Sequence, residues 1–332
     1  MLLLFLLPLV FSYKVTFKSF IQKKKYENPF NEDILQVLDA MHRSGLHIHK
    51  LLSYSNVENL QGFYSENSLN IHQEKQKKLD LLSDKIIRSN VCGIESLGSI
   101  FSEEDDNIVK MKKDHKLIFC YDPLDGSSNI DTHMPTGTIF SCYNDGHYFQ
   151  ENKQVINSQG SLVLSGYLLY SSSLHFVFYY EKSVYHFMYD DLYKDFILIH
   201  DNIKIPKRGN QYSINEGKIN SFHKNHKLYL EKCKKENYSS RYYGCLVADF
   251  HNVIMNGGIF MYPKDIVKNK SKIRLLYEAK PLAKIIEEMG GICVDEEIHI
   301  HKKKIKDIHE TTPIYFGSNE NMVDFIEFCR KN

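Results

Sequence analysis

Tyr121-Asp122-Pro123-Leu124-Asp125-Gly126-Ser127-Ser128-Asn129-Ile130-Asp131 is the stretch on which the rest of the chain depends. Just upstream, Leu117-Ile118-Phe119-Cys120-Tyr121 is short, apolar and closed by a turn signal, the pattern of a strand covered on both faces. Pro123 and Gly126 are expected to end that strand and bend the chain. Asp122 and Asp125 stand three residues apart across the bend, so both carboxylates and an intervening backbone carbonyl can face one point. Oxygen ligands in that arrangement suit a hard divalent cation. Gly126-Ser127-Ser128 then offers consecutive N–H groups beside small side chains, a common way to grip an anion. The implied chemistry is a metal beside a phosphate.

Outward from this stretch, strands and helices alternate, which predicts an α/β protein in mixed layers. Apolar positions Ile34, Leu35, Val37, Leu38, Met41, Leu46 and Ile48 recur at helical spacing between Asn31 and Leu52, with Asn31 as N-cap. Ser53 to Ile71 is polar, lacks a sustained period and is expected to be a mobile loop near an active site. Leu79, Leu82 and Ile86 share one face of the next helix. Asp80 and Asp84 lie i,i+4 on another, where a solvated face is the default. Ile100-Phe101-Ser102-Glu103-Glu104-Asp105-Asp106 places four acids after an apolar pair. Such neighbouring charges repel unless a cation or solvent compensates them. Strands are expected at Thr136–Tyr143, Leu162–Tyr170, Phe176–Tyr180, Val184–Met188, Phe196–His200 and Ile259–Pro263. A helix is expected over Pro281–Met289, with Pro at its start and Gly290-Gly291 after its end. The cluster Ile205-Pro206-Lys207-Arg208-Gly209 is the best boundary between two halves, giving a leader at 1–25, an N-terminal domain at 28–206 and a C-terminal domain at 207–330.

With 332 residues and a net charge of +1, the chain has room for a sizeable core and no electrostatic signature of a nucleic-acid partner. Its seven cysteines have neither C-x-x-C nor framework spacing and are expected as free core thiols. The first twelve residues, MLLLFLLPLVFS, are too short a run for a spanning helix, which needs about 20 residues. They look like the apolar region of a signal sequence without its charged start, and the alternatives are a buried strand or a misplaced start codon. The mature form is expected to have no membrane segment. Location is left between the cytoplasm and a plastid reached through the secretory route.

The central stretch resembles the signature of the fructose-1,6-bisphosphatase class 1 family, within the wider sugar and inositol phosphatases. Further blocks resemble the family in the same order: Lys77-Lys78-Leu79-Asp80, Ser102-Glu103-Glu104-Asp105, Gly137-Thr138-Ile139-Phe140, Tyr212-Ser213-Ile214-Asn215-Glu216-Gly217, Arg241-Tyr242, Gly257-Gly258-Ile259-Phe260-Met261-Tyr262-Pro263 and Lys272-Ile273-Arg274-Leu275-Leu276-Tyr277-Glu278. They cover the chain from about Asn31 to the C-terminus. The resemblance implies the layered αβαβα sugar-phosphatase fold, a homotetramer or homodimer, and Mg²⁺-dependent hydrolysis of the 1-phosphate of fructose 1,6-bisphosphate. Two or three Mg²⁺ per subunit are implied, with Mn²⁺ as a substitute. Their ligands would be Glu103, Glu104, Asp122, the carbonyl of Leu124, Asp125 and Glu278, with Glu74 and Asp80 contributing. Asp80 and Glu104 are assigned to activation of water, and Gly126, Ser127 and Ser128 to the transferring phosphoryl group. Asn215, Arg241, Tyr242 and Tyr262 are assigned to the far phosphate, Arg241 from a neighbouring subunit, and Lys272 to the sugar.

Some positions depart from the family. Lys218 stands where animal-type members carry a Tyr, and Lys85 where many have an Asp. The AMP-pocket positions read Lys116, Leu117 and Asn144, with no Thr from Pro29 to Ile34, so AMP is expected to inhibit weakly or not at all. Sedoheptulose-1,7-bisphosphatase is the nearest competing activity. An inactive binding protein is the alternative from another class, disfavoured because none of the six acids Asp80, Glu103, Glu104, Asp122, Asp125 and Glu278 is missing.

Overall fold

A computed structural model describes residues 14–28, 31–55, 57, 60, 62, 77–105, 109–110, 117–144 and 161–331. The apolar leader, Glu74, Lys116 and most of the loop expected over Ser53–Ile71 lie outside the described residues. Three helices come first, α1 (Phe17–Glu27), α2 (Glu32–Tyr54) and α3 (Lys78–Val91). Eight strands follow: β1 (Leu97–Ser102), β2 (Val109–Lys110), β3 (Leu117–Asp125), β4 (Thr136–Asn144), β5 (Ser161–Tyr170), β6 (Leu174–Tyr180), β7 (Ser183–Asp190) and β8 (Asp195–His200). They form one sheet in the order β2-β1-β3-β4-β5-β6-β7-β8, antiparallel except for the parallel pair β1 and β3.

The second half contains β9 (Gln211–Ser213), α4 (Lys224–Lys235), β10 (Ser239–Ser240), α5 (Leu246–Asn256), β11 (Ile259–Tyr262), β12 (Ile273–Arg274), α6 (Lys280–Glu288), β13 (Ile292–Val294), β14 (Thr311–Thr312), β15 (Ile314–Gly317) and α7 (Asn319–Lys331). Five of its strands form a second sheet, β10-β9-β11-β15-β13, while β12 and β14 pair separately.

The strict alternation of side chains along a strand explains the layering. On β3, Phe119 and Tyr121 join Phe17, Leu35, Leu38 and Ile87 in a core beneath α1, α2 and α3. The intervening Ile118 and Cys120 point the other way, into a core with Val247 and Phe250 of α5, Leu282 and Ile286 of α6, and Phe260 and Phe316 of the second sheet. Ile259, Met261 and Tyr315, on the far face of that sheet, meet Tyr229 of α4 and Phe325 of α7. The result is helices, sheet, helices, sheet, helices: the five-layered αβαβα arrangement.

Two local readings are corrected by the structure. β3 does not end at Tyr121 but runs to Asp125, pairing with β4 as far as Asp125 with Gly137 across a register shift after Asp122. The bend is therefore a bulge within a strand. Pro123 is tolerated because the pairing of β3 with β1 stops at Tyr121, leaving that side of the strand an edge. Asp80 and Asp84 are not on a solvated face, being only 4% and 8% exposed. Asp84 accepts hydrogen bonds from Ser102 Oγ at 2.6 Å, Tyr121 Oη at 2.7 Å and Arg88 Nε at 2.8 Å, so a buried charge is compensated on every side. Helix α1 buries Phe17, Phe20 and Ile21 at helical spacing. All seven cysteines are free and five are buried, as expected.

Gly166 sits in the middle of the large sheet, between Phe140 and Phe178 on the flanking strands. A Cβ there would lie 2.3 Å from the Phe140 ring and 2.9 Å from Phe178 Cβ. Gly166→Ala is expected to destabilise the protein by about 1–3 kcal/mol through this overpacking. Thermal unfolding checks it, and an unchanged Tm would contradict the packing described.

Candidate active site

The parallel pairing of β1 and β3 is what brings the acids together. Ser102, the last residue of β1, pairs with Tyr121 of β3, where the pairing of the two strands stops, so Glu103 and Glu104 leave β1 beside Asp122 and Asp125 at the end of β3. The N–H of Glu103 donates to the Tyr121 carbonyl at 3.1 Å, fixing that exit. Ligand sites outside the carboxyl ends of parallel strands are a general property of open α/β sheets. From the second half, Leu275–Ala279 forms a π-helical turn leading into α6 and supplies Glu278. Turns of this kind concentrate at functional sites. One ligand oxygen from each of Asp122, Asp125 and Glu278 lies within 4.8 Å of the others.

These carboxylates are held by specific partners. Asp122 accepts from the Leu124 N–H at 2.9 Å. Asp125 accepts from the Val247 N–H at 2.7 Å, at the start of α5, and from Cys245 Sγ at 3.0 Å. Glu278 accepts from the Arg274 N–H, and the Arg274 guanidinium stands 3.6 Å from Glu103. Compensation is incomplete. Burial, and then repulsion from Glu103, Asp125 and Glu278, push the Asp122 carboxyl well above the usual range. Burial and repulsion from Glu103 do the same to Glu278 against the opposing pull of Arg274. A hard, oxygen-seeking cation is the group that such a donor set fits.

The acids line a cavity of about 620 Å³ that also contains Asp80, Glu103, Glu104, Leu124, Gly126, Ser127, Ser128, Tyr242, Tyr262 and Lys272. Gly126 adopts φ +79°, and a Cβ on it would lie 2.7 Å from Cys245 Cβ, so glycine is required twice over. It caps a 3₁₀ turn over Ser127–Thr132, whose first N–H groups have no partner within the turn and are suited to an anion. Asn129 joins the two halves by donating to the carbonyls of Pro135 at 2.9 Å and Tyr243 at 3.1 Å.

Two of the expected site residues are elsewhere. Asn215 lines an adjoining cavity of about 320 Å³ with Lys218, Lys268, Lys270 and Arg274, and Tyr262 and Lys272 belong to both cavities. Arg241 lines neither, and its exposed guanidinium donates to the Ser240 carbonyl. Cys245, Asp249 and Lys77 also line the first cavity without having been singled out from the sequence. Asp249 accepts from Ser213 Oγ at 2.6 Å and the Tyr243 N–H at 3.2 Å, while burial raises its carboxyl to about 7. The blocks ending in Asp80 and Glu278 contain Lys77 and Arg274, which was the available signal for both. Cys245 carried none.

An α/β fold that places a carboxylate cluster against backbone N–H donors, with basic side chains beyond, defines a hydrolase of phosphate esters. Known proteins narrow this class. A family model described as "Fructose-1-6-bisphosphatase, N-terminal domain" matches residues 15–201, and "Fructose-1-6-bisphosphatase, C-terminal domain" matches 205–330. The chloroplastic fructose-1,6-bisphosphatase of Pisum sativum is 33% identical over 333 residues, covering 93% of this chain and 81% of that protein. A class 1 enzyme of Chlorobium phaeobacteroides is 35% identical over 324 residues, covering 94% and 96%. The crystal structure of Leishmania major fructose-1,6-bisphosphatase in holo form matches with a TM-score of 0.87 at 30% identity, covering 96% of this chain and 99% of that one. The chain belongs to the fructose-1,6-bisphosphatase family, hydrolases of carbohydrate metabolism that use divalent metals.

The raised Asp122 carboxyl has a consequence for stability. Its folded pKa exceeds the unfolded value, so its contribution is fully favourable below the unfolded pKa, near 4, and is lost as pH rises through the folded pKa. At pH 7.5, Asp122→Asn is therefore expected to raise the Tm of the metal-free protein, while abolishing hydrolysis. Calorimetry in EDTA reads the first effect, and a fall in Tm would contradict the electrostatic strain inferred here.

Proposed function

We propose that this chain hydrolyses the 1-phosphate of fructose 1,6-bisphosphate, releasing fructose 6-phosphate and inorganic phosphate. The observation that carries the proposal is the junction of an acid-lined cavity with a basic one through Tyr262, Lys272 and Arg274. A sugar with a phosphate at each end matches this division: the scissile group lies beside the carboxylates and the distal group among Asn215, Lys218 and their neighbours.

Glu103, Glu104, Asp122, the Leu124 carbonyl, Asp125 and Glu278 are the groups we assign to Mg²⁺, two or three ions per subunit, with Mn²⁺ able to substitute. When bound, the ions polarise the phosphoryl oxygens and offset the charge on the leaving sugar oxygen. The protein's own part is to orient and to move protons. Ser127 and Ser128 N–H groups hold the phosphoryl oxygens. Asp80, whose Oδ2 accepts from the Lys77 N–H at 3.0 Å, acts with Glu104 to take a proton from the attacking water. A P–O bond forms from that water as the bond from phosphorus to the sugar oxygen breaks, and the sugar oxygen takes up a proton. Lys272 orients the sugar, and Tyr242 and Tyr262 are assigned with Asn215 to the distal phosphate.

The exposed position of Arg241 supports a role toward the distal phosphate of a neighbouring subunit, in a homotetramer or homodimer. Among the described residues no helix is long and apolar enough to cross a membrane.

Phosphate release with Mg²⁺ on fructose 1,6-bisphosphate and sedoheptulose 1,7-bisphosphate tests the proposal. Faster turnover of the former is expected; preference for the latter reassigns the substrate, and inertness toward both overturns the proposal. Lys218→Ala is expected to raise KM about tenfold with kcat little changed, the effect of losing one charge-assisted phosphate contact. An unchanged KM would remove the distal phosphate from the second cavity.

A further inference from the structure

A second set of convergent ligands lies on the face of the large sheet covered by α5. His175 on β6, His186 on β7 and His251 on α5 each bring one ligand nitrogen to within 4.8 Å of the other two. Nδ1 of His175 and Nε2 of His186 are 2.9 Å apart. The His251 ring centre is 4.8 Å from that of His175 and 5.5 Å from that of His186. We propose that these three histidines bind a nitrogen-seeking first-row divalent cation, represented by Zn²⁺, at a site separate from the carboxylate cluster.

The chemistry of the donors selects the ion. Imidazole suits Zn²⁺ and its neighbours, whereas Mg²⁺ prefers oxygen, and none of the three ligands is a carboxylate. The two cation types would therefore sort between the two sites. Two nitrogens on one tetrahedral Zn²⁺ stand about 3.3 Å apart, given Zn–N bonds of about 2.0–2.1 Å. The His175–His186 separation needs to open by only a few tenths of an ångström.

The surroundings prepare the rings for this use. Tyr167 Oη lies 2.7 Å from His251 Nδ1. With that oxygen accepting from Nδ1–H, Nε2 of His251 keeps its lone pair, as an outer-sphere partner normally arranges for a ligating histidine. His186 is 3% exposed, and among the described residues its buried Nδ1 has no hydrogen-bond partner. Its orientation therefore leaves one nitrogen unsatisfied, which is unfavourable in a buried setting, while directing Nε2 into the cluster. Burial lowers His186 to about 2 and His251 to about 3, and lowers His175 as well. Burial thus favours the neutral form of each ring, the form in which imidazole ligates. His175 and His251 are partly exposed, which gives a cation a route in.

Occupancy would tie α5 to β6 and β7. The same helix starts at Cys245 and Val247, which hold Asp125, so the second cation would brace an element of the catalytic cavity without touching the substrate.

The test is titration of the full-length protein with Co²⁺ under excess Mg²⁺, followed by visible absorption. One equivalent per chain with the intense bands of a tetrahedral nitrogen site is expected, displaced by Zn²⁺ and not by more Mg²⁺. His251→Gln and His175→Gln should each remove these bands and leave Mg²⁺-supported phosphate release within about twofold, while Asp122→Asn should retain the bands. Zn²⁺ should also raise the Tm of the unsubstituted protein and not of His251→Gln. Bands that persist in both histidine variants overturn the proposal, as do bands lost only in Asp122→Asn or no Co²⁺ binding at micromolar concentration.

Discussion

Asp122, Asp125 and Glu278 repel one another in a place from which most water is excluded, and the fold exists around that repulsion. Asp122 is 2% exposed and Glu278 7% exposed, so solvent screens them little. Three separate elements share the task of holding them. The bulged end of β3 presents two acids, the start of α5 receives Asp125 through the Val247 N–H, and the π turn before α6 aims Glu278 inward while its Arg274 faces Glu103. Each of these elements is anchored by the apolar core between the two sheets. Packing thus supplies the stability that the charge cluster removes, and a divalent cation returns part of it.

The same balance explains the division of the cavity. Carboxylates and basic groups kept at one point would pair with each other and lose their affinity for ligands. Here the acids gather at the ends of β1 and β3, while Lys218, Lys268 and Lys270 lie in the adjoining space. Among the described basic side chains, Lys272 and Arg274 face both. Burial raises the Asp125 carboxyl against the hydrogen bonds from Cys245, Val247 and Leu246 and the smaller pull of Lys272, and Arg274 moderates Glu278. A substrate with two anionic ends matches an acid-lined end fitted to cations and a basic end.

Much of this was legible in the residues. The apolar run Leu117–Tyr121 marked a covered strand because its alternate side chains enter two different cores. The convergence of Asp122 and Asp125 was readable because Pro123 between them fixes φ and Gly126 after them admits a positive φ, so the chain bends there. The continuation of β3 through Pro123 was not readable, since it depends on where the β1 pairing stops. Nor was the burial of Asp80 and Asp84. A charge run on a helix looks solvated until Tyr121, Ser102 and Arg88 are known to surround Asp84. Arg274 and Cys245 act through contacts with acids far away in sequence. His175, His186 and His251 have no motif spacing at all and meet only because β6, β7 and α5 pack together.

Anomalous scattering from crystals grown with Mn²⁺ tests the origin of the carboxylate cluster most directly. Peaks are expected within about 2–2.5 Å of oxygens from Asp122, Asp125 and Glu278. A cavity without a peak at saturating Mn²⁺, or peaks confined to other surfaces, would contradict the view that these acids are held together to receive a divalent cation.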